Sequence, residues 1–231
     1  FDSDQIEISN NLFLETLKKG KLFFRVNLAG GGEGTHLFQY FDESILKDNK
    51  EKIQLGDILS LPDGTFSAFL GQLDYSSKIY PHSTNTIRIV TINDDSFEIV
   101  ACVHRFGTNY SKFIDNVSSG GIFANIDLAT GQLSYAYSEF VQQKYEQHPD
   151  THEQIKGTIV PYWEKVKDQV LQLHRRVPYL KLVAWDVVIQ EDGEISIIEG
   201  NASSDVTILQ SEKGLRFDRL GEFMLKNDCI F

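Results

Sequence analysis

The stretch Lys181–Asn201, KLVAWDVVIQEDGEISIIEGN, leaves a chain few ways to fold. Leu182 to Gln190 and Glu194 to Ile198 are rich in Val, Ile and Trp, the composition of strands. Asp192-Gly193 lies between them and tolerates the positive φ of a two-residue hairpin turn. Such a turn sets Glu191 against Glu194 and, counting back, Asp186 against Glu199. Side chains alternate along a strand, so Asn201 shares the face of Glu199. Asp186, Glu199 and Asn201 thus bring oxygen donors to one patch. Val183, Trp185, Val187, Ile189 and Ile198 make the opposite, core-seeking face.

Two facing carboxylates on an apolar hairpin repel each other and lose hydration if buried. A divalent cation relieves both problems. An all-oxygen set suits Mg2+, Mn2+ or Ca2+, and Mg2+ completed by phosphate oxygens is the commonest arrangement. The plainer alternative is an exposed hairpin whose acids stay solvated at its rim.

The chain's 231 residues can bury one large core or two smaller ones, and 41% hydrophobic residues is a globular composition. A net charge of -11 argues against a nucleic-acid or anionic-membrane surface, though a few local cations suffice for ATP. Cys102 and Cys229 are too few for a disulfide framework, and Cys102 sits in the apolar run Ile99–Val103 as a buried thiol. No apolar run reaches transmembrane length and no signal peptide is evident, so a reducing cytoplasm is the expectation. The chain begins at Phe1 rather than Met, and residues are expected upstream of it.

An Asp on one strand followed, after a hairpin, by Glu-x-Asn resembles the metal-binding signature of the ATP-grasp superfamily, with Asp186, Glu199 and Asn201 at the ligand positions. Thr84–Thr91, Asp115-Asn116 with Gly120-Gly121-Ile122, His148-Pro149 and Trp185-Asp186 resemble more specifically its sugar-transfer-associated group. The resemblance runs from about Lys21 to Asn201. It implies an α+β, ATP-grasp-like fold of two interlocked subdomains with the nucleotide between antiparallel sheets. The expected division is an N-terminal subdomain over 1–70, with a Gly-rich lid, and a C-terminal one over 71–231, with the metal site.

Along the chain, Ser9 reads as an N-cap and Gly20 as a helix stop, with Leu12, Phe13 and Leu17 as the apolar stripe. Strands Leu22–Val26 and His36–Tyr40 flank Gly30, Gly31, Gly32 and Gly34, whose N–H groups could cradle a phosphate or simply form a flexible tip. The resemblance makes this loop the lid over ATP and puts Arg25 where the family has a phosphate-binding Lys. Asp42 is expected to cap a short helix through Leu46, and Ile58–Phe69 to form a hairpin around Pro62-Asp63-Gly64. Ser67-Ala68-Phe69-Leu70 resembles the adenine-binding hinge, with Ser67 in place of its usual acid. Asp74 stands at the spacing of the ribose-binding acid, or else caps a turn.

In the strand Thr86–Asn93, Thr86, Arg88 and Val90 share a face; an Arg among β-branched residues calls for an anion or open solvent. Peptide ligases carry a cation two residues before the metal Asp. That position is Ala184 here, and the resemblance implies Arg88 in the role of that cation. The strand Phe97–Arg105 ends in a second cation, Arg105. Asn116, Gly120 and Gly121 suit a phosphate- or acceptor-binding loop, or equally a plain Asx turn. His148-x3-His152 is not a helical zinc pattern. Pro161 opens a helix with Trp163, Val166, Val170 and Leu173 as its core stripe, Ala202–Ile208 is a loop, and Leu215–Leu225 a closing helix.

The reading is an ATP- and Mg2+- (or Mn2+-) dependent ligase that activates a carboxylate-bearing small molecule as an acyl phosphate for attack by an amine or other nucleophile. The setting implied is cell-surface polysaccharide or secondary metabolism, and dimers in the wider superfamily raise a homodimer. A kinase-like phosphotransferase with the same metal site, and a non-catalytic nucleotide-binding module, are the competing readings.

Overall fold

The computed structural model describes residues 12–27, 34–48, 50–139, 143–202 and 204–227. The chain divides into two compact units, Phe1–Leu70 and Gly71–Phe231. Each is built on its own antiparallel sheet with a few helices, so the class is α+β.

In the first unit α1 (12–19) ends at Gly20, whose N–H reaches Thr16 O at 3.2 Å. The strands are β1 (Leu22–Val26), β2 (Thr35–Phe41), β3 (Ser44–Lys47), β4 (Glu51–Ile53) and, after α2 (Leu55–Leu59), β5 (Gly64–Ala68). They pair in the order β4-β3-β2-β1-β5. Leu17, Leu22, Phe24, Phe38, Ile45 and Ile58 form the core.

Two expectations fail in this unit. Asp42 caps no helix: Asp42 and Glu43 take φ of 48° and 56° as a tight turn, and Ser44–Lys47 is a strand on β2. Four residues are too few to nucleate a helix, whereas pairing on β2 buries Ile45. Ile58 is not in a hairpin but is the buried residue of α2. That helix begins where the Gln54 N–H donates to the Asp57 carboxylate at 2.8 Å, and β5 pairs with β1 instead.

The second unit opens with α3 (Asp74–Ile79), followed by β6 (Ile87–Asn93), β7 (Phe97–Phe106), a 3-10 turn (Val117–Ser119), β8 (Ile122–Ile126), β9 (Leu133–Ser138) and β10 (Gln143–Tyr145). Then come α4 (Trp163–His174), β11 (Leu182–Ile189) and β12 (Ile195–Asn201), 3-10 turns at Thr207–Gln210 and Leu215–Phe217, and α5 (Arg219–Lys226). The expected closing helix therefore starts later, at the Asp218 carboxylate, which accepts from the N–H groups of Leu220 and Gly221 at 3.1 and 3.2 Å.

The sheet order is β10-β9-β8-β7-β6-β11-β12, so α4 carries the chain across one face and β11 pairs with β6. That face packs Ile87, Ile89, Cys102, Val183, Trp185 and Val187 under Trp163, Val166 and Val170 of α4. The other face packs Val90, Ile92, Val103, Leu182 and Ala184 under Leu209, Leu220 and Phe223. Cys102 is a buried free thiol.

The β11–β12 hairpin departs from its expected geometry twice. Gln190, not Glu191, faces Glu194, with Gln190 N to Glu194 O at 2.8 Å. The turn is therefore one residue longer than expected, and Gly193 supplies φ of 80° at its end. Ile189 consequently pairs with Ile195. A bulge between Asp186 and Val187 then leaves Ile198 unpaired and 45% exposed, so it is not a core residue. The two offsets cancel, and Asp186 pairs with Glu199.

Candidate functional site

Strand alternation places Thr86, Arg88, Arg105, Asp186, Glu199 and Asn201 on one face of the second sheet, at one end of its apolar patch. The register sets Arg88 directly opposite Asp186, and Asp186 directly opposite Glu199. Asp186 is only 3% exposed and Arg105 7%. Arg88 Nε and Nη2 donate to Asp186 Oδ1 and Oδ2, each at 2.9 Å, a bidentate fork. Arg105 Nη2 donates to the same Oδ2 at 2.9 Å. Burial alone would push the Asp186 carboxyl up. The hydrogen bonds and charges of Arg88 and Arg105 more than offset it and hold the group below the ordinary carboxylate range. Burial likewise opposes the Arg88 charge, and the hydrogen bond and charge of Asp186, with the charges of Asp115 and Glu199, outweigh it.

Arg105 is held from a second side. Its Nε donates to Thr86 Oγ1 at 2.9 Å, and Thr86 Oγ1 donates to Asp115 Oδ2. The Thr86 N–H reaches the same Asp115 oxygen at 2.8 Å. Among the described residues, Nη1 of Arg88 and Nη1 of Arg105 have no hydrogen-bond partner. The pair therefore keeps N–H donors for an incoming anion.

The half-buried Glu199 and Asn201 sit beside this cluster on β12, with Asn201 Nδ2 donating to Glu199 Oε1 at 3.1 Å. Among the described residues, no group of three His, Cys, Asp or Glu side chains is placed to hold a metal. The set here is two carboxylates and an amide oxygen. These are hard oxygen donors; among the described residues the Asn201 amide oxygen accepts no hydrogen bond, and Asp186 Oδ1 accepts one, from Arg88 Nε.

The other expected site residues are each described on their own element. Arg25 is an exposed residue of β1, and Gly34, with φ of 66°, precedes β2. Gly30, Gly31 and Gly32 lie outside the described residues. Ala68 ends β5, the Phe69 N–H donates to Lys21 O at 2.9 Å, and Leu70 is half-buried. Asp74 is in the first turn of α3, its side chain 83% exposed and 3.1 Å from Lys78 Nζ. Asn116 caps the 3-10 turn, its side chain accepting from Ser118 N at 3.4 Å. The N–H groups of Gly120 and Gly121 close the same turn on Val117 O and Asn116 O, each at 3.0 Å. That is the Asx-turn chemistry, with those donors spent internally.

Thr86 and Asp115 were not marked as site residues in the sequence. Their one signal was membership of the Thr-Asn-Thr and Asp-Asn motifs.

The family model described as "sugar-transfer associated ATP-grasp" matches residues 69–222. No curated protein matches the chain significantly. Solved structures that it resembles include the ATP-grasp ligase PsnB complexed with a minimal precursor, at 13% identity over 96% of this chain and 52% of that one, TM-score 0.47. Another is a Chryseobacterium gregarium RiPP-associated ATP-grasp ligase in complex with ADP and a leader and core peptide, at 12% identity, 97% and 53% coverage and TM-score 0.49. D-alanyl-alanine synthetase A from Vibrio cholerae aligns at 8% identity, 97% and 55% coverage and TM-score 0.49. The chain spans about half the length of these structures.

Proposed function

Because this chain belongs to the sugar-transfer-associated ATP-grasp family, we propose that it takes part in ATP-dependent activation of a carboxylate. The observation that carries this reading is the buried fork of Arg88 and Arg105 on Asp186, with Glu199 and Asn201 alongside. In the proposed reaction a substrate carboxylate oxygen attacks the γ-phosphorus, the bond to the bridging oxygen breaks, and ADP leaves. An amine or other nucleophile then attacks the acyl carbon, inorganic phosphate departs, and the nucleophile's proton passes to solvent.

Arg88 and Arg105 bind and orient the transferred phosphoryl group and neutralise charge that develops on it. Asp186, Glu199 and Asn201 would hold Mg2+ or Mn2+, which when bound supplies charge against the β- and γ-phosphates. Asp186 also fixes both guanidinium planes before substrate arrives, so little reorganisation is left for the reaction. In the same reading Arg25, Gly30, Gly31, Gly32, Gly34, Ala68, Phe69 and Leu70 would contact nucleotide, Asp74 the ribose, and Asn116, Gly120 and Gly121 the acceptor. The buried thiol of Cys102 suits a reducing compartment.

The test is calorimetric binding of AMP-PNP with and without Mg2+, on the unaltered chain and on Glu199→Gln. Metal-dependent binding that the substitution weakens about tenfold, the range seen when a metal ligand's surroundings are disturbed, is expected. Binding indifferent to both metal and substitution would remove the proposed site.

A further inference from the structure

Two residues outside the proposed metal and phosphate contacts, Thr86 and Asp115, hold Arg105 from the side opposite to its bond with Asp186. Thr86 Oγ1 accepts from Arg105 Nε at 2.9 Å and also from Nη2. A hydroxyl has one proton to give, and Thr86 gives it to Asp115 Oδ2. A carboxylate oxygen accepts, so the relay runs one way: guanidinium to hydroxyl to carboxylate. Arg105 Nε stands 3.5 Å from Asp115 Oδ2, too far for a good direct bond. The carboxylate therefore holds the arginine by charge at that distance and by hydrogen bonds through Thr86. Thr86 and Asp115 are both buried, so water does not compete for these bonds. The backbone reinforces the relay, with Arg105 N donating to Thr86 O at 2.8 Å.

Asp115 also begins the 115–121 loop. The Gly121 N–H closes on Asn116 O at 3.0 Å, and a Cβ on Gly121 would lie 2.6 Å from Asp115 O. The loop is packed on the Asp115 backbone, so a shift in the loop shifts the carboxylate that orders Thr86.

We infer that Thr86 and Asp115 are positioning residues, a hydrogen-bond relay that aims the Arg105 guanidinium at the transferred phosphoryl group and couples that aim to the 115–121 loop. The inference rests on the ATP reading above for its phosphoryl target, but the relay itself does not. Thr86→Ser keeps the hydroxyl, Thr86→Val removes it at nearly constant shape, and Asp115→Asn removes the charge.

The first measurement is solvent exchange of the Arg105 Nε–Hε proton by 15N NMR, assigned with Arg105→Lys, in the absence of any ligand. Slow exchange is expected in the unaltered chain and in Thr86→Ser. Exchange faster by about tenfold or more is expected in Thr86→Val and Asp115→Asn, in keeping with loss of a hydrogen bond to a charged group. The second is affinity for Mg·ADP·aluminium fluoride, a mimic of the transferring phosphoryl group, against Mg·AMP-PNP. In Thr86→Val and Asp115→Asn the first should fall about tenfold and the second by less than about twofold, whatever the shift in melting temperature. Unchanged Nε–Hε exchange overturns the relay. Both affinities falling together with the melting temperature, without rescue in Thr86→Ser, reduces the pair to structural residues and overturns the positioning role. Failure of the unaltered chain to bind either nucleotide would defeat the ATP reading and the phosphoryl target with it, while the exchange rates would still decide the relay.

Discussion

At Asp186, burial disfavours the charge and two arginines restore it. The group is held ionised by the same partners it holds in place. Removing one member of such a set leaves the others buried without compensation. Asp186→Ala is therefore expected to cost about 3 kcal/mol, read as a lower urea midpoint at constant m-value; a change within error would show that Arg88 and Arg105 reach other partners. The need of Arg88 for an anion was legible from its β-branched neighbours. Which anion was not, because Asp186 lies 98 positions further along the chain. Thr86 and Asp115 were harder still. One reads as an ordinary strand residue and the other as a turn former, and their bond spans 29 positions that only the loop after β7 brings together.

Among the elements, the β11–β12 hairpin shows how a correct pairing can follow from an incorrect path. Alternating apolar residues marked both strands, and Asp192-Gly193 marked the turn. Pattern alone does not distinguish a two-residue turn from one residue more, nor reveal a bulge, since both depend on how the strands twist against β6 and α4. Gly193 holds φ of 80°, and a Cβ there would lie 3.0 Å from Tyr162 Cζ. Gly193→Ala is expected to cost about 1–2 kcal/mol from the left-handed backbone alone, measured by thermal unfolding. An unchanged melting temperature would mean that the turn rearranges at no cost. Long elements such as α4 and β7 were legible because periodicity repeats several times within them. The short β3 and α2 were not, because a few residues satisfy either pattern and tertiary pairing decides.

Taken whole, the second unit buries histidines that burial keeps neutral: His104, brought down to about 3, and His148 and His174, each also lowered. The His148 Nδ1 accepts the N–H of Asp150 at 3.2 Å, a bond that a protonated ring could not accept. The unfolded chain binds these protons near pH 6.5 and the folded chain resists them. Stability from these groups is thus complete above about pH 6.5 and declines as pH falls through the lowered values. Asp186 adds a loss only below its unfolded value of 3.8. Urea midpoints should hold level from pH 7.5 to about 6.5 and fall from there to pH 4.5; a flat profile throughout would contradict neutral burial. The division into two antiparallel sheets, by contrast, was legible only through the family resemblance, since no linker or change in composition separates the units.

The placement of β11 between β6 and the edge strand β12 also bears on the order in which the protein is made. β6 and β7 leave the ribosome long before Lys181, and β6 waits with one edge open and Arg88 lacking its carboxylate. Pairing over such a separation closes slowly. A chain halted before Lys181 should scatter light on concentration where the whole chain stays clear, because an unpaired apolar edge recruits other chains. Arg88, which holds Asp186 in the finished protein, is during synthesis a charge set into that edge, the usual guard against joining a neighbour too early.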